Sequence, residues 1–220
     1  MELFEAKDFE VFDIPGFEER MQAIAKTIRP KLEGIGEELL PLLSGIVDQE
    51  LFVHVAKHAR RRVNPANDTW AAIGAGKRGY KQDVHFKIAV SRHCVRLLFE
   101  VGPEYYDKTE WALKWRREIK GIVEAVGSNK QLGWFKDEHD EDPESLLKGW
   151  TPKQIKALGR EVTRRREGQL VIGRRIDQQD LIKMKPAAFK RVAQTLSSRS
   201  QACFLFMIDG CWSKCRYLVP

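Results

Sequence analysis

Between His54 and Lys81 the chain reads HVAKHARRRVNPANDTWAAIGAGKRGYK. Two histidines and seven Lys/Arg stand here with one acid, Asp68. Residues of these types can hold a metal, grip a phosphate or carry a proton. The pair His54-x3-His58 has the spacing of two zinc ligands on one helical turn. The glutamate that a helical zinc peptidase places directly after the first histidine is here Val55. On a strand, two residues four apart lie roughly 13 Å from each other and cannot share an ion. No metal site is therefore expected. His54, His58 and His85 remain candidate proton carriers, because imidazole titrates near neutrality.

The segment GAGKRGYK suits an anion better. Glycines such as Gly74, Gly76 and Gly79 let a turn aim its N–H groups inward, and Lys77, Arg78 and Lys81 add positive charge. The pattern is neither the Walker loop nor the dinucleotide fingerprint. Its plain alternative is a solvated loop between strands. Arg60 and Arg62 would join the patch from one side of a preceding strand, with Lys57 and Arg61 on the other. Trp70 and Tyr80 flank the loop and are the candidates for stacking on a base. Trp115 falls instead on a helical apolar stripe and is expected in the core.

The elements that would position these residues follow from periodicity. Residues 17–46 carry apolar side chains at helical spacing, with breaks expected at Pro30 and a kink or split at Pro41. From Leu51 the period changes to two, and LFVHVAKHARRR reads as one strand. WAAIGAG, HFKIAVS and CVRLLFEVG give three more, the last two turning near Arg92. A helix is expected over residues 103–127, with Pro103 in its first turn and Gly127 at its end. QLGWFKDEHD and QLVIGRRI read as strands, and DEHDEDPES as an acidic loop. Thr151 and Pro152 open another helix, and KPAAFKRVAQTLSSR is a last one, with Phe189, Val192, Ala193 and Leu196 inward.

The expected fold is α+β: one domain over 1–220, an antiparallel sheet with helices packed on one face. Its parts are a helical stretch to residue 50, a four-stranded core over 51–101, and helices with further strands over 102–220. A chain of 220 residues buries roughly 70% of its unfolded surface and needs no staples. With 43% hydrophobic residues, disorder as the main state is excluded.

Charge is unevenly placed. Residues 1–50 hold 5 Lys/Arg against 12 Asp/Glu, whereas residues 51–100 hold 10 against 3. An acidic front and a basic middle attract phosphates, nucleic acid or an acidic partner. The acidic start lacks the character of a secretion signal. The longest apolar run, Ala202 to Ile208, is far short of the roughly 18 residues of a membrane span. A cytoplasmic protein without a membrane partner is expected. Cys203, Cys211 and Cys215 cluster late in the chain at spacings that do not mark a zinc site, and with Cys94 they read as reduced thiols.

The joined motif HVAKHARRRVNP…W…KRGYK…HF, from His54 to Phe86, resembles the YktB-like family of uncharacterised proteins from Gram-positive bacteria. The upstream RPKLEGIGEELLPLLS is similar to it as well. The resemblance implies an α+β fold related to the biotin-ligase and class II synthetase topology, but no established activity. It would make Gly74, Gly76, Arg78 and Gly79 parts of a loop that binds pyrophosphate or adenylate, while the lysine and biotin contacts of a ligase find no counterparts. The tail from about residue 197, rich in Cys and Trp, departs from the family and is expected to be atypical.

Three readings are open on these residues. The first is a protein that binds a phosphate-bearing small molecule or nucleic acid through Arg60, Arg62, Lys77, Arg78 and Lys81. The second is a nucleotidyl-transferring or ligase-like enzyme, with its cofactor unknown. The third is an interaction module that uses the acidic helical face.

Overall fold

The computed structural model describes residues 1–196. The expectations for the atypical tail and for Cys203, Cys211 and Cys215 fall outside the described residues. So does the expected continuation of the last helix beyond Leu196.

The strands are β1 (Phe52–Val55), β2 (Asp68–Gly74), β3 (His85–Ser91), β4 (Cys94–Val101), β5 (Gly133–Phe135), β6 (Ser145–Leu146) and β7 (Leu170–Asp177). They form one antiparallel sheet in the order β1-β2-β3-β4-β7-β5-β6. The expected four-stranded core is its first half, extended past β4 by the later strands. The described helices are α1 (Ala6–Glu10), α2 (Phe17–Ala23), α3 (Arg29–Val47), α4 (Lys108–Arg117), α5 (Ile119–Ser128), α6 (Pro152–Arg164), α7 (Gln178–Ile182) and α8 (Pro186–Leu196). This is the expected α+β arrangement.

The alternation of side chains along each strand divides the sheet into two unlike faces. Ile73 opposes Phe86, and Phe86 opposes Phe99. Ile88 opposes Leu97, and Val90 opposes Val95. These side chains join Leu32, Ile35, Trp111, Trp115, Ile155 and Leu158 of the helices in one apolar core. The other face carries Trp70, His85, Lys87, Ala89, Arg96 and Glu100, again paired by register.

Three local expectations change. No break occurs at Pro30, and Pro41 does not split its helix. A π-helical turn over Ile24–Ile28 joins α2 to α3 and leaves Pro30 in the first turn of α3, where a missing N–H costs little. Pro41 sits inside α3 with its ring exposed, while Leu39 and Leu43 are buried. Burial along a 19-residue helix outweighs the local cost of about 3 kcal/mol. The helix expected from Pro103 starts later, where the Asp107 side chain accepts from the Glu110 N–H, and is interrupted at Glu118. Trp115 is fully buried, as its position on the stripe requires. At α6, Thr151 and Gln154 form the capping box that the Thr-Pro start announces.

The third change bears on the site. β1 ends at Val55, not at Arg62. Residues 56–62 leave the sheet in a turn, with His58 in the left-handed region at φ 52°. The strand alternation that set Arg60 and Arg62 on one side and Lys57 and Arg61 on the other therefore does not apply.

Candidate functional site

Once off the sheet, the segment after β1 stands opposite the loop that succeeds β2. Between them lies an open groove of about 450 Å³. Lys57, Arg60 and Arg61 line it from one side and Lys81 from the other. Trp70 of β2 and Tyr80 of the loop supply its aromatic lining, locked by a hydrogen bond from the indole Nε1 to the phenol oxygen at 2.7 Å. Glu104 is the one carboxylate among the described lining residues, and it pairs with Lys81 at 3.2 Å. A second open groove, about 610 Å³, shares Tyr80, Lys81 and Glu104 and is lined by His54, Arg78 and Gly79.

The candidate residues thus separate. Arg60, Lys81, Trp70 and Tyr80 come together in the first groove, and Lys57 and Arg61 join them. Arg78 and Gly79 belong to the second. Lys77 is exposed and lines neither. Arg62 turns back on its own turn and donates to the carbonyls of Ala59 and Arg61 at 2.8 and 3.3 Å. Gly76 closes the loop upon itself: a Cβ there would lie 2.1 Å from the Gly79 carbonyl oxygen. Gly74 ends β2, where a Cβ would press on His85 and Tyr80 at 3.2 and 3.4 Å.

The histidines separate too. His54 Nε2 lies 2.8 Å from the Gly76 carbonyl, whereas His58 Nε2 lies 3.0 Å from the Thr69 hydroxyl. Their partners are distinct, and because β1 ends at Val55 the strand spacing between them does not apply. Among the described residues, no three His, Cys, Asp or Glu side chains are grouped to hold a metal ion. Burial, aided by Arg61, lowers the pKa of His58 to about 4, so its ring is neutral at pH 7. His85 is buried, with Nδ1 2.9 Å from the Asp83 carbonyl and Nε2 3.3 Å from Glu100 Oε2.

Below Trp70 lies a buried ionic cluster that the sequence-based candidates do not include, His85 apart. Lys87 of β3 places its ammonium 4.2 Å from the Trp70 ring centre and pairs with Glu138 and, at 3.7 Å, with Glu100 of β4. Burial pushes the Lys87 ammonium below its ordinary range, with Glu100 opposing. Burial also pushes the Glu100 carboxyl up, but His85 and Lys87 outweigh it and bring its pKa to about 2. Beside them, Asp68 at the start of β2 accepts from Arg96 Nη2 at 2.8 Å and from His139 Nδ1 at 3.0 Å. Burial disfavours the Asp68 charge, yet His139 and Arg96 hold its pKa below the usual value.

Arg96 is the clasp. Its side chain is fully buried, and Nη1 donates to the carbonyls of Glu138 and Asp140 at 2.8 and 2.7 Å. It thereby ties the acidic loop after β5 over the polar face. That loop presents His139, whose ring lies 5.4 Å from the Trp70 ring on a side chain 45% exposed.

A signal for this cluster is present in the sequence. In HFKIAVS and CVRLLFEVG the charged residues fall two or four apart, so each strand carries its charges on one face. A strand pair buried on one face and merely solvated on the other would look alike. The covering loop is what separates the two cases.

Residues 4–201 match the family described as a domain of unknown function, DUF1054. The chain is also similar to proteins named UPF0637. One from Bacillus cereus is 33% identical over 199 residues, covering 90% of this chain and 94% of the relative. One from Bacillus licheniformis is 32% identical over 186 residues, covering 84% and 87%. A third, from Macrococcus caseolyticus, is 43% identical over 120 residues, which is 54% of this chain and 59% of that relative.

Proposed function

The chain belongs to the DUF1054 family, and we propose that it binds a phosphate-bearing ligand in the groove between residues 56–62 and the loop after β2. The phosphate sits among Lys57, Arg60, Arg61 and Lys81, and a planar group of the ligand rests on Trp70 and Tyr80. One observation carries this reading: four cations converge over an aromatic lining in a groove of about 450 Å³, with Glu104 as the one carboxylate among its described lining residues. That volume falls in the range of small-molecule sites, roughly 300–1,000 Å³. Paired arginines suit the forked geometry of phosphate oxygens.

Purified protein, melted in the presence of ATP, pyrophosphate, short DNA or short RNA, tests the reading. A ligand at 100 times its dissociation constant adds about 2.7 kcal/mol to stability. The expected result is a rise in Tm with ATP or pyrophosphate that Arg60→Glu and Arg61→Glu abolish. A rise with RNA or DNA alone, falling steeply with salt, would assign the groove to a nucleic-acid backbone instead. A rise that both variants retain would remove the groove from consideration.

A further inference from the structure

The ionic cluster below Trp70 is costly. Apolar residues of the same volume in place of a buried ion pair are commonly neutral or stabilising. Asp68, Lys87, Arg96 and Glu100 are all at most 5% exposed. The other face of these same strands shows that this fold packs apolar side chains without difficulty. Buried charges held by specific partners beside a groove mark a functional site.

The geometry within the cluster narrows what the site does. Asp68 is an acceptor for His139 Nδ1, so Nδ1 carries a proton, and in the neutral ring Nε2 is the atom that can accept one. Arg96 fixes both partners at once: it binds the Asp68 carboxylate and, through the Glu138 and Asp140 carbonyls, the backbone on either side of His139. A carboxylate that selects the tautomer of a histidine, itself anchored by a buried cation, is the arrangement of an oriented general base. The charged groups facing this imidazole are Asp68 from β2, Arg96 from β4, and Glu138, whose Oε1 lies 3.7 Å from Nε2. Lys87 from β3 stands behind Glu138. Trp70 links the dyad to the groove: its ring lines the groove, and His139 packs against that ring.

We propose that His139, oriented by Asp68 and Arg96, is the general base of a phosphate-ester hydrolysis performed on the ligand in the groove. The proposal rests on the phosphate-binding reading above. A water molecule gives a proton to His139 Nε2 as its oxygen forms a new bond to phosphorus. The bond from phosphorus to the ester oxygen breaks, and its electron pair leaves with that oxygen. The leaving oxygen is protonated by solvent, and His139 returns its proton to solvent. Arg60, Arg61, Lys57 and Lys81 neutralise the charge that gathers on the phosphoryl oxygens. His139 is the catalytic residue; Asp68 and Arg96 are positioning residues.

The test uses p-nitrophenyl phosphate and bis(p-nitrophenyl) phosphate, whose leaving group is read by colour and needs no acid. Two arms distinguish a monoester site from a diester site. Wild-type protein is expected to turn over one of them. His139→Asn, a half-exposed change, is expected to lower kcat by about 10²- to 10⁴-fold, with the melting curve unchanged. Asp68→Asn is expected to lower kcat more than it raises KM, and to shift the ¹⁵N resonances of His139 away from the Nδ1–H tautomer. A merely structural Asp68 would lower the folded fraction and leave kcat per folded molecule unchanged. Calorimetric binding of pyrophosphate separates the two readings. If pyrophosphate binds and the Arg60→Glu variant loses it, yet neither ester is cleaved or His139→Asn cleaves as fast as wild type, the catalytic proposal is wrong and the binding site stands. If pyrophosphate does not bind at all, both fall together.

Discussion

The two faces of strands β2, β3 and β4 are built from alternate residues of the same segments, and they obey different rules. One carries Ile73, Phe86, Ile88, Val90, Val95, Leu97 and Phe99, packed under the helices. The other carries Trp70, His85, Lys87, Arg96 and Glu100 beneath a loop held by hydrogen bonds. On β3 and β4 both are buried. The first is explained by the hydrophobic effect alone. The second works against it, which is why a site is sought there and not among the helices.

The largest effect is expected on the polar face. Arg96→Met leaves Asp68 buried without its cation and frees the loop carrying His139. It should cost about 3–5 kcal/mol in urea unfolding, the usual penalty for breaking one side of a buried pair. Leu97→Ala, one residue along and on the other face, should cost about 2–5 kcal/mol by leaving a cavity. Its distinguishing outcome is that pyrophosphate binding per folded molecule stays unchanged. A loss of binding in Leu97→Ala would mean that the faces are not independent.

Acid should separate them next. Glu100 has its pKa lowered from 4.5 to about 2, so its stabilising share is full above pH 4.5 and disappears as pH falls toward 2. Asp68, also lowered, acts in the same sense. His58, lowered from 6.5 to about 4, adds an earlier loss: the folded state resists the proton that the unfolded chain takes up between those values. Unfolding free energy measured from pH 7 to pH 2 should therefore decline in two stages. Glu100→Gln should flatten the lower one, whereas Leu97→Ala should lower the whole curve without changing its shape. The smallest effect on folding belongs to the groove rim. Arg60→Glu and Arg61→Glu should change stability by no more than about 0.5 kcal/mol while abolishing pyrophosphate binding in calorimetry.

Much of the scaffold was legible in the sequence because it depends on local chemistry. Thr151-Pro152 announced α6, and the period-two runs announced β2, β3 and β4. The failures share one cause. At Lys57–Arg62 the strand pattern continued past the point where the chain leaves β1, since alternation cannot show where sheet pairing stops. Pro30 and Pro41 did not interrupt the helix, because tertiary packing overrode a local penalty. In the site, Arg60, Lys81, Trp70 and Tyr80 were within reach as a basic, aromatic stretch. Asp68 and His139 were not: they lie 71 residues apart, and only the folded loop joins them. Glu138 and His139 have the look of a solvated acidic loop until the contacts of Arg96 with that loop are known.

The central claim is that the polar face, with its groove, is where ligand meets protein. A titration of pyrophosphate and then ATP into ¹⁵N-labelled protein, monitored by NMR, tests it most directly. The account predicts that the Trp70 indole N–H and the backbone amides of residues 57–61, 80 and 81 shift together and saturate, with His139 joining them when ATP is bound. Saturating shifts confined to the acidic helices α2 and α3, or none anywhere at millimolar ligand, would contradict it.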